Sequence, residues 1–537
     1  MVLVTSALLG LLAGSAFARP AFVDELEHIL VDTDGFNDAG LKRGVTPCSF
    51  YNQGLQTAGR MSSAQWMRVA FHDFATADVK AGTGGMDASI GLETNREENK
   101  GAAMNDSLTF FNPFVNKYTS MADMIALGTV MAVGACAGPL IPFKGGRVDA
   151  TVPGAFGVPE PEGSLATHIA RFATAGFNQQ EMIQLTACGH TVGSVHQGGF
   201  PNIVQNAETP NNTNGGVHFD DTGDVFDNHV ATTYLDNTTP NPLVVGFNVT
   251  TRSDLRIFSS DSNVTMKTLA SSANVFSTTC VKVFTKMLNT VPRGVALTDV
   301  SPIAVKPVNL QLNVDAKGGI TFNGAIRLLS SMGFPANSRR TVQIFFGDSE
   351  GVLATFNPAT NTGTSLFGRG DTFYHLFSAP VDARHASSSS FVVVISENTG
   401  RYSAVQTLKF PIQSNVFFLP SSSTLTTDST GKVVGTIAAA VSKSLKVSSV
   451  TAALDVPVAV IGTLAPHTTT FNIPLKAAGD LGNSGFTLYT SPANAAIPGV
   501  TTLHNAFLSS VDIVVSAGGK TFIDDFKKLS ILNVTAA

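Results

Sequence analysis

The six residues Arg68-Val69-Ala70-Phe71-His72-Asp73 decide how the first half of this chain is read. They close an apolar-periodic segment, Ala64–Phe74, whose three-four spacing predicts a helix. Arg68 and His72 stand four residues apart, so a cation and an imidazole share one helix face and can enter one cavity. Asp73 falls on another face and is free for a different task. Further along, Leu185-Thr186-Ala187-Cys188-Gly189-His190-Thr191 puts a histidine at the end of a second helical segment, beside a glycine that lets a flat ligand approach closely. Arg252-Ser253-Asp254-Leu255 then offers a carboxylate in apolar surroundings.

Around these motifs the pattern is helical from Thr46 to Pro292, with segments at Ala64–Phe74, Ser107–Tyr118, Ala122–Ala135, Ser164–Thr174, Gln179–Cys188, Val225–Leu235 and Met266–Leu288. From Ala304 onward it changes to short β-branched runs broken by turn residues: Val308–Val314, Thr341–Phe346, Phe391–Ile395, Val456–Ile461 and Val511–Val515. The expected fold class is therefore multidomain, a mainly α-helical domain over 44–295 followed by an all-β, sandwich-like region. A Ser/Thr-rich stretch, Ser421–Thr430, divides that region into modules over 296–420 and 421–537.

Composition narrows the function classes. Charged residues are only 14% of the 537, and 34 Lys+Arg against 39 Asp+Glu leave a net charge of −5, which excludes a nucleic-acid partner. The first 18 residues read as a signal peptide, an apolar run from Val2 to Leu12 ending in Ala16-Phe17-Ala18. Residues 19–43 are acidic and end in Lys42-Arg43, which reads either as a short propeptide with a dibasic cut or as a solvated pair. Six N-x-[ST] triplets, at Asn105, Asn211, Asn237, Asn248, Asn263 and Asn533, suit a secreted glycoprotein. No later stretch has membrane-spanning length, so the expected product is extracellular with no membrane partner.

Taken together and in this order, the motifs resemble the plant-type haem peroxidase superfamily over roughly residues 45 to 290. Its distal R-x-x-F-H-D and proximal G-H-T patterns are met by Arg68, Phe71, His72, Asp73, Gly189, His190 and Thr191. Glu93 and Asn99 match its distal hydrogen-bond relay, and Asp123 and Arg147 match a buried ion pair. The resemblance implies haem b, with His190 as iron ligand through Nε2 and its Nδ1–H given to Asp254. It implies that His72 takes a proton from hydrogen peroxide and returns it to the leaving oxygen, that Arg68 stabilises the charge developing there, and that Asn99 fixes the His72 tautomer. Phe71 would pack over the haem, and Phe219 holds a position that is a radical-bearing tryptophan in some relatives.

The resemblance also implies two Ca²⁺ sites, hard oxygen sets suited to that ion. Asp73, Gly85, Asp87 and Ser89 match the distal one; Thr191, Asp220, Thr222, the carbonyl of Val225 and Asp227 match the proximal one. Phe71 in place of a distal tryptophan, the signal peptide, these two sets and Pro159-Glu160-Pro161 point to a secreted, fungal class II-like enzyme. Departures limit its substrates. Met61, Gln65 and His196 stand where manganese-oxidising members carry carboxylates, and Leu185 stands where lignin-type members expose a tryptophan. Trp66, the single tryptophan, reads as core. The default reductant is a small aromatic, most simply phenolic, molecule oxidised at the haem edge. Cys48–Cys136 is the bridge the resemblance implies, while Cys188 and Cys280 either pair or remain buried thiols. The competing reading is a binding or adhesion protein whose β-rich half contacts cell wall or polysaccharide and whose helical half is a relic.

Overall fold

The computed structural model describes residues 19–49, 59–212, 215–347, 354–356, 361–367, 369–382, 388–398, 403–532 and 534–535. Residues 1–18, expected from sequence to be a signal peptide, and the sequon at Asn533 lie outside them. The chain is multidomain: helices concentrate before residue 290 and strands dominate after it. The helical part comprises α1 (Ala21–Val31), α2 (Ser62–Phe74), α3 (Ala103–Phe111), α4 (Met121–Ala135), α5 (Leu165–Thr174), α6 (Gln179–Gly189), α7 (His229–Leu235), α8 (Pro242–Val245), α9 (Ser253–Phe258), α10 (Val264–Ala270) and α11 (Ala273–Leu288).

The core forms where the apolar faces meet. Helix α4 is buried on nearly every side from Met121 to Gly134, as expected of a helix without a polar face. Its first amides are satisfied by Ser120, which accepts from Asp123 N, and by the Asp149 carboxylate, which accepts from the N–H groups of Met121 and Ala122. Helix α2 buries Trp66, Met67, Val69, Ala70 and Phe74, and it packs on α4 and α3. Gly128 allows this closeness, because a Cβ there would stand 2.5 Å from the Phe111 ring. Trp66 is core, with ring centroids 5.2 and 4.8 Å from Phe110 and Phe111.

Two disulfides staple the helices. Cys48–Cys136 ties the segment before α2 to the end of α4, and Cys188–Cys280 ties α6 to α11, so the second pair is a bridge and not two thiols. They span 88 and 92 residues, and loops of that size are worth about 4–5 kcal/mol each in the chain-entropy account.

Three helical segments end elsewhere than periodicity predicts. The one read as Ser107–Tyr118 is Ala103–Phe111, because Asn112-Pro113 turns the chain into a short 3-10 segment. Met266–Leu288 is interrupted: Ser272 leaves helical geometry and caps α11 by accepting from Val275 N, so α10 and α11 are separate. Val225–Leu235 becomes helical only from His229, since Val225 to Asn228 belong to an Asp-rich loop.

The β-rich half holds two modules. In the first, a five-stranded sheet (Asp34–Gly35, Asn361–Ser365, Gly370–Val381, Ile320–Leu329, Val305–Val314) faces a four-stranded one (Ser403–Pro411, Ser390–Asn398, Thr341–Phe346, Ala354–Phe356). Phe322, Phe346, Phe377 and Phe391 fill the space between them. The second module is built on Val416–Phe418, Ala438–Ser442, Phe486–Thr490 and Lys476–Asp480 against His467–Pro474, Val447–Val458, Ser510–Ala517 and Lys520–Lys528. Its first strand, Val416–Phe418, precedes the Ser/Thr-rich stretch, and Phe417 packs into the same core as Phe322 and Phe391.

Both modules are joined to the helical domain by buried contacts. Residues 19–43, read from sequence as a removable or solvated stretch, form much of the first junction. Leu26, Ile29, Leu30 and Val31 of α1 enter the helical core, and Asp34–Gly35 adds an edge strand to the first module. Two of the acidic residues that suggested a pro-segment, Glu27 and Asp32, are partners of buried cations. Glu27 accepts from Arg327 at 2.5 Å and Lys306 at 2.7 Å, and Asp32 accepts from Arg327 at 2.8 Å and the Tyr374 hydroxyl at 2.9 Å. Burial would raise the Glu27 carboxyl, but Lys306 and Arg327 hold it below its ordinary value. At the second junction Lys117 meets Asp512 at 2.5 Å and Asp525 at 2.6 Å, and Leu464 and Ala465 pack against the helical core.

Arg327→Leu strands buried carboxylates, so unfolding in denaturant should show a loss of about 3–5 kcal/mol. A loss below about 1 kcal/mol, the scale of an exposed pair, would contradict this account of the junction.

Candidate active site

A cavity of about 430 Å³ opens between α2 and the end of α6. Arg68, Phe71 and His72 line one wall; Gly189, His190, Phe219 and Asp254 line the other. The motif spacing thus brings the two histidines, 118 positions apart in the chain, to opposite sides of one space.

On the α2 wall His72 is buried and its Nδ1 lies 2.8 Å from Asn99 Oδ1. The amide of Asn99 cannot flip freely, because its Nδ2 donates to the main-chain carbonyl of Glu93 at 3.0 Å. Oδ1 is therefore the acceptor, Nδ1 of His72 carries the proton, and Nε2 keeps its lone pair. The relay runs through the backbone of Glu93. The Glu93 carboxylate instead accepts from Gly154 N at 2.5 Å and pairs with Arg96 at 3.2 Å. Burial, with Arg68 nearby, pushes the His72 pKa down to about 3, so the ring is neutral near pH 7. Arg68 donates to the Lys100 carbonyl at 2.8 Å and lies 5.3 Å from the centre of the Phe200 ring. Burial lowers its pKa to about 10, which leaves it protonated. Phe71 lines the cavity 5.9 Å from Phe172.

On the opposite wall His190 caps the C-terminal end of α6. Its Nδ1 donates to Oδ2 of buried Asp254 at 2.8 Å, which leaves Nε2 as the free ring nitrogen toward the cavity. Phe219 stacks on the imidazole with centroids 4.3 Å apart and planes at 5°. Asn241 was not singled out from sequence: it donates to the same Asp254 oxygen at 2.8 Å. Asn241 caps α8 by accepting from Leu243 N, and no local sequence pattern marks its reach to α9. Phe200, packed beside Arg68 at the cavity mouth, was also missed.

Asp123 and Arg147 form a buried pair at 2.9 Å, and Arg147 also donates to the Leu288 carbonyl at 2.7 Å. Met61, Gln65, Leu185 and His196 all line the cavity, and the Gln65 amide is held by Asp106 at 3.0 Å.

The two oxygen-rich sets are each gathered in space. Asp73 accepts from the N–H groups of Ala88 and Ile90 at 2.9 and 3.2 Å, Asp87 accepts from Ser89 N, and the carbonyl of Gly85 accepts from Asp87 N. In the other, Thr222 Oγ1 lies 3.1 Å from Asp227 Oδ1, Thr191 Oγ1 donates to the Asp227 carbonyl at 2.6 Å, and Asp220 accepts from Thr222 N. Val225 donates its N–H to the Thr222 carbonyl. Among the described residues Ser89 Oγ and Asp220 Oδ2 are buried without a hydrogen-bond partner. Burial, with Asp87 adding, holds Asp73 well above the carboxylate range; burial, with Asp227 and Asp221 adding, lifts Asp220 to about 7. Among the described residues no group of three or more His, Cys, Asp or Glu side chains is arranged to hold a metal ion. Each of these sets offers two carboxylates with hydroxyl and main-chain oxygens.

The sequence model of the family described as Peroxidase matches residues 49–275. Over 545 aligned residues the chain is 35% identical to a WSC domain-containing protein of Arthroderma benhamiae, covering 99% of this chain and 70% of that protein. Residues 49–275 are a domain of the peroxidase family. Two relatives within the plant-type haem peroxidase superfamily match about a quarter of the chain. L-ascorbate peroxidase 5 of Arabidopsis thaliana is 34% identical over 135 residues, 24% of this chain and 47% of that protein. Mitochondrial cytochrome c peroxidase of Yarrowia lipolytica is 34% identical over 143 residues, 24% of this chain and 40% of that protein. The chain thus spans under half the length of these two relatives, whereas the match to the Arthroderma protein extends through the β-rich half as well.

A carboxyl whose pKa rises on folding binds its proton more tightly in the folded chain, so it costs stability as pH climbs from its unfolded value toward its folded one. For Asp220 that window runs from 3.8 to about 7. In a chelator, the thermal midpoint of Asp220→Asn relative to the unaltered chain should therefore rise between about pH 5 and pH 7.5. A difference that does not vary with pH would contradict the assignment.

Proposed function

We propose that this chain is an extracellular haem peroxidase that reduces hydrogen peroxide and oxidises small aromatic, most simply phenolic, molecules. One observation carries the reading: two histidines face one cavity from opposite walls, each with Nδ1 tied to a buried acceptor and Nε2 left free. The residues fit haem b. His190 would hold the iron through Nε2 while its Nδ1–H stays with Asp254, and Phe71 and Phe219 would supply flat apolar surface. When bound, haem supplies the redox chemistry of iron.

The chain's own residues move the proton. His72 Nε2 takes it from hydrogen peroxide and returns it to the leaving oxygen, a task suited to a ring that is neutral in the resting site. Asn99 keeps the other nitrogen protonated throughout, so the basic atom is always the one facing the cavity. Arg68 brings a permanent positive charge to the same wall, where it stabilises negative charge as the O–O bond breaks. Phe219 carries no N–H and resists oxidation, which favours delivery of electrons from a reductant at the cavity mouth.

Calcium is part of the proposal, with one Ca²⁺ held by Asp73, Gly85, Asp87 and Ser89 and another by Thr191, Asp220, Thr222, Val225 and Asp227. The buried, unpartnered Ser89 Oγ and Asp220 Oδ2 and the raised carboxyls support it, since a cation would satisfy all of them. Phe71 and the two calcium sets favour the secreted, class II-like type, although the ascorbate and cytochrome c peroxidases above are the matched named enzymes. For the β-rich half we favour a buttress over a wall-binding arm, because its contacts with the helical domain are a buried ion-pair cluster at Arg327, a partly buried one at Lys117, and core side chains. A carbohydrate-contact reading draws support only from the name of the Arthroderma relative.

In stopped-flow mixing with peroxide, the haem-loaded His72→Leu chain should react about 10²–10⁴-fold more slowly while keeping its Soret band. The unaltered chain should react at a constant rate down to about pH 4 and lose rate as pH approaches the His72 value of about 3. An unchanged rate in His72→Leu would overturn the reading. Calcium should raise the thermal midpoint of the chelator-treated chain, by about 2.7 kcal/mol of stability at a hundredfold excess over Kd. Asp220→Asn should abolish part of that rise; a midpoint indifferent to calcium would remove the metal from the account.

A further inference from the structure

We infer that Asn241 is a positioning residue that limits how strongly Asp254 pulls on the His190 proton, and so tunes the basicity of the iron-facing imidazole. The inference rests on the haem peroxidase reading above. Oδ2 of Asp254 is shared: His190 Nδ1 donates to it at 2.8 Å, and Asn241 Nδ2 donates to it at 2.8 Å. The direction of the second bond is fixed by the rest of the amide. Asn241 Oδ1 accepts from Leu243 N at 2.8 Å, so Nδ2 is the end turned to Asp254. The main chain is pinned as well, since Asn241 N donates to Thr239 Oγ1 at 3.1 Å.

Burial makes this competition matter. Asn241 and Asp254 are each 1% exposed, and in such surroundings a hydrogen bond to a charged oxygen is electrostatically strong. An oxygen that takes two donors spreads its charge between them, so each proton is drawn less than it would be alone. The other carboxylate oxygen accepts from the Ser253 hydroxyl at 3.3 Å. Phe219, stacked on His190, has no polar atom to offer Asp254. Asn241 is therefore the neutral donor through which the chain moderates imidazolate character in His190, and with it the electron density given to iron.

The test uses the full chain loaded with haem, as Asn241→Ala and Asn241→Ser. Serine keeps an oxygen able to cap the helix start, but its hydroxyl is one bond shorter than the amide and does not reach Asp254. Two quantities are read, the iron–histidine stretching frequency of the ferrous protein and the ferric/ferrous midpoint potential. Both variants should shift the stretch upward and the potential downward, with Asn241→Ser keeping the thermal midpoint of the unaltered chain. A purely structural cap predicts otherwise: stretch and potential unmoved in Asn241→Ser, with only stability falling in Asn241→Ala. That result overturns the inference and leaves the peroxidase reading intact. An unaltered chain that takes up no haem overturns both.

Discussion

Two imidazoles have to face one cavity with the right nitrogen free, and a histidine ring does not choose its tautomer unaided. In this protein each ring surrenders Nδ1 to a buried acceptor, Asn99 Oδ1 on one wall and Asp254 Oδ2 on the other. Those acceptors are held by third groups, the Glu93 carbonyl and the Asn241 amide. The chain of dependence continues outward: α2 keeps its place by packing on fully buried α4, and α6 is bridged to α11 two residues before His190. Geometry at the cavity is thus the inner end of a series of buried, mutually satisfied polar contacts, the arrangement in which a low dielectric strengthens each bond.

The β-rich half belongs to the same mechanical system. Helix α1 lies between the two halves and faces both, with leucine and isoleucine toward the helices and Glu27 and Asp32 toward Arg327 and Lys306 of the first module. The second module reaches the helical core through Leu464 and Ala465, beside Asn112, whose side chain donates to the Leu464 carbonyl at 3.2 Å. Thr463 packs against Gly91, close to the Ser89 loop and the Glu93 relay. A module joined in this way can steady the distal loop, whereas an arm on a flexible linker could not.

Much of this was legible in the sequence where chemistry and spacing are local. Arg68 and His72 share a helix face by periodicity, and the Gly189-His190-Thr191 motif marks its own helix end. The fold class was readable from the change in periodicity near residue 295. What escaped depended on partners far away in the chain. Glu27 and Asp32 read as part of an acidic pro-segment because Arg327 lies about 300 positions on. Cys188 could not be paired with Cys280 from spacing alone, and Asn241 carries no local mark of its contact with Asp254. Glu93 and Asn99 were read as a relay, but that Glu93 takes part through its carbonyl is a distinction between side chain and backbone that a sequence does not encode.

The central claim is that His190 and His72 hold a haem between them with His190 as the iron ligand. Titrating the purified full chain with haem, alongside His190→Ala, tests it directly through the Soret band. The account predicts one haem per chain with a histidine-ligated spectrum, and loss of that spectrum in His190→Ala. Uptake by His190→Ala with an unchanged spectrum would contradict it.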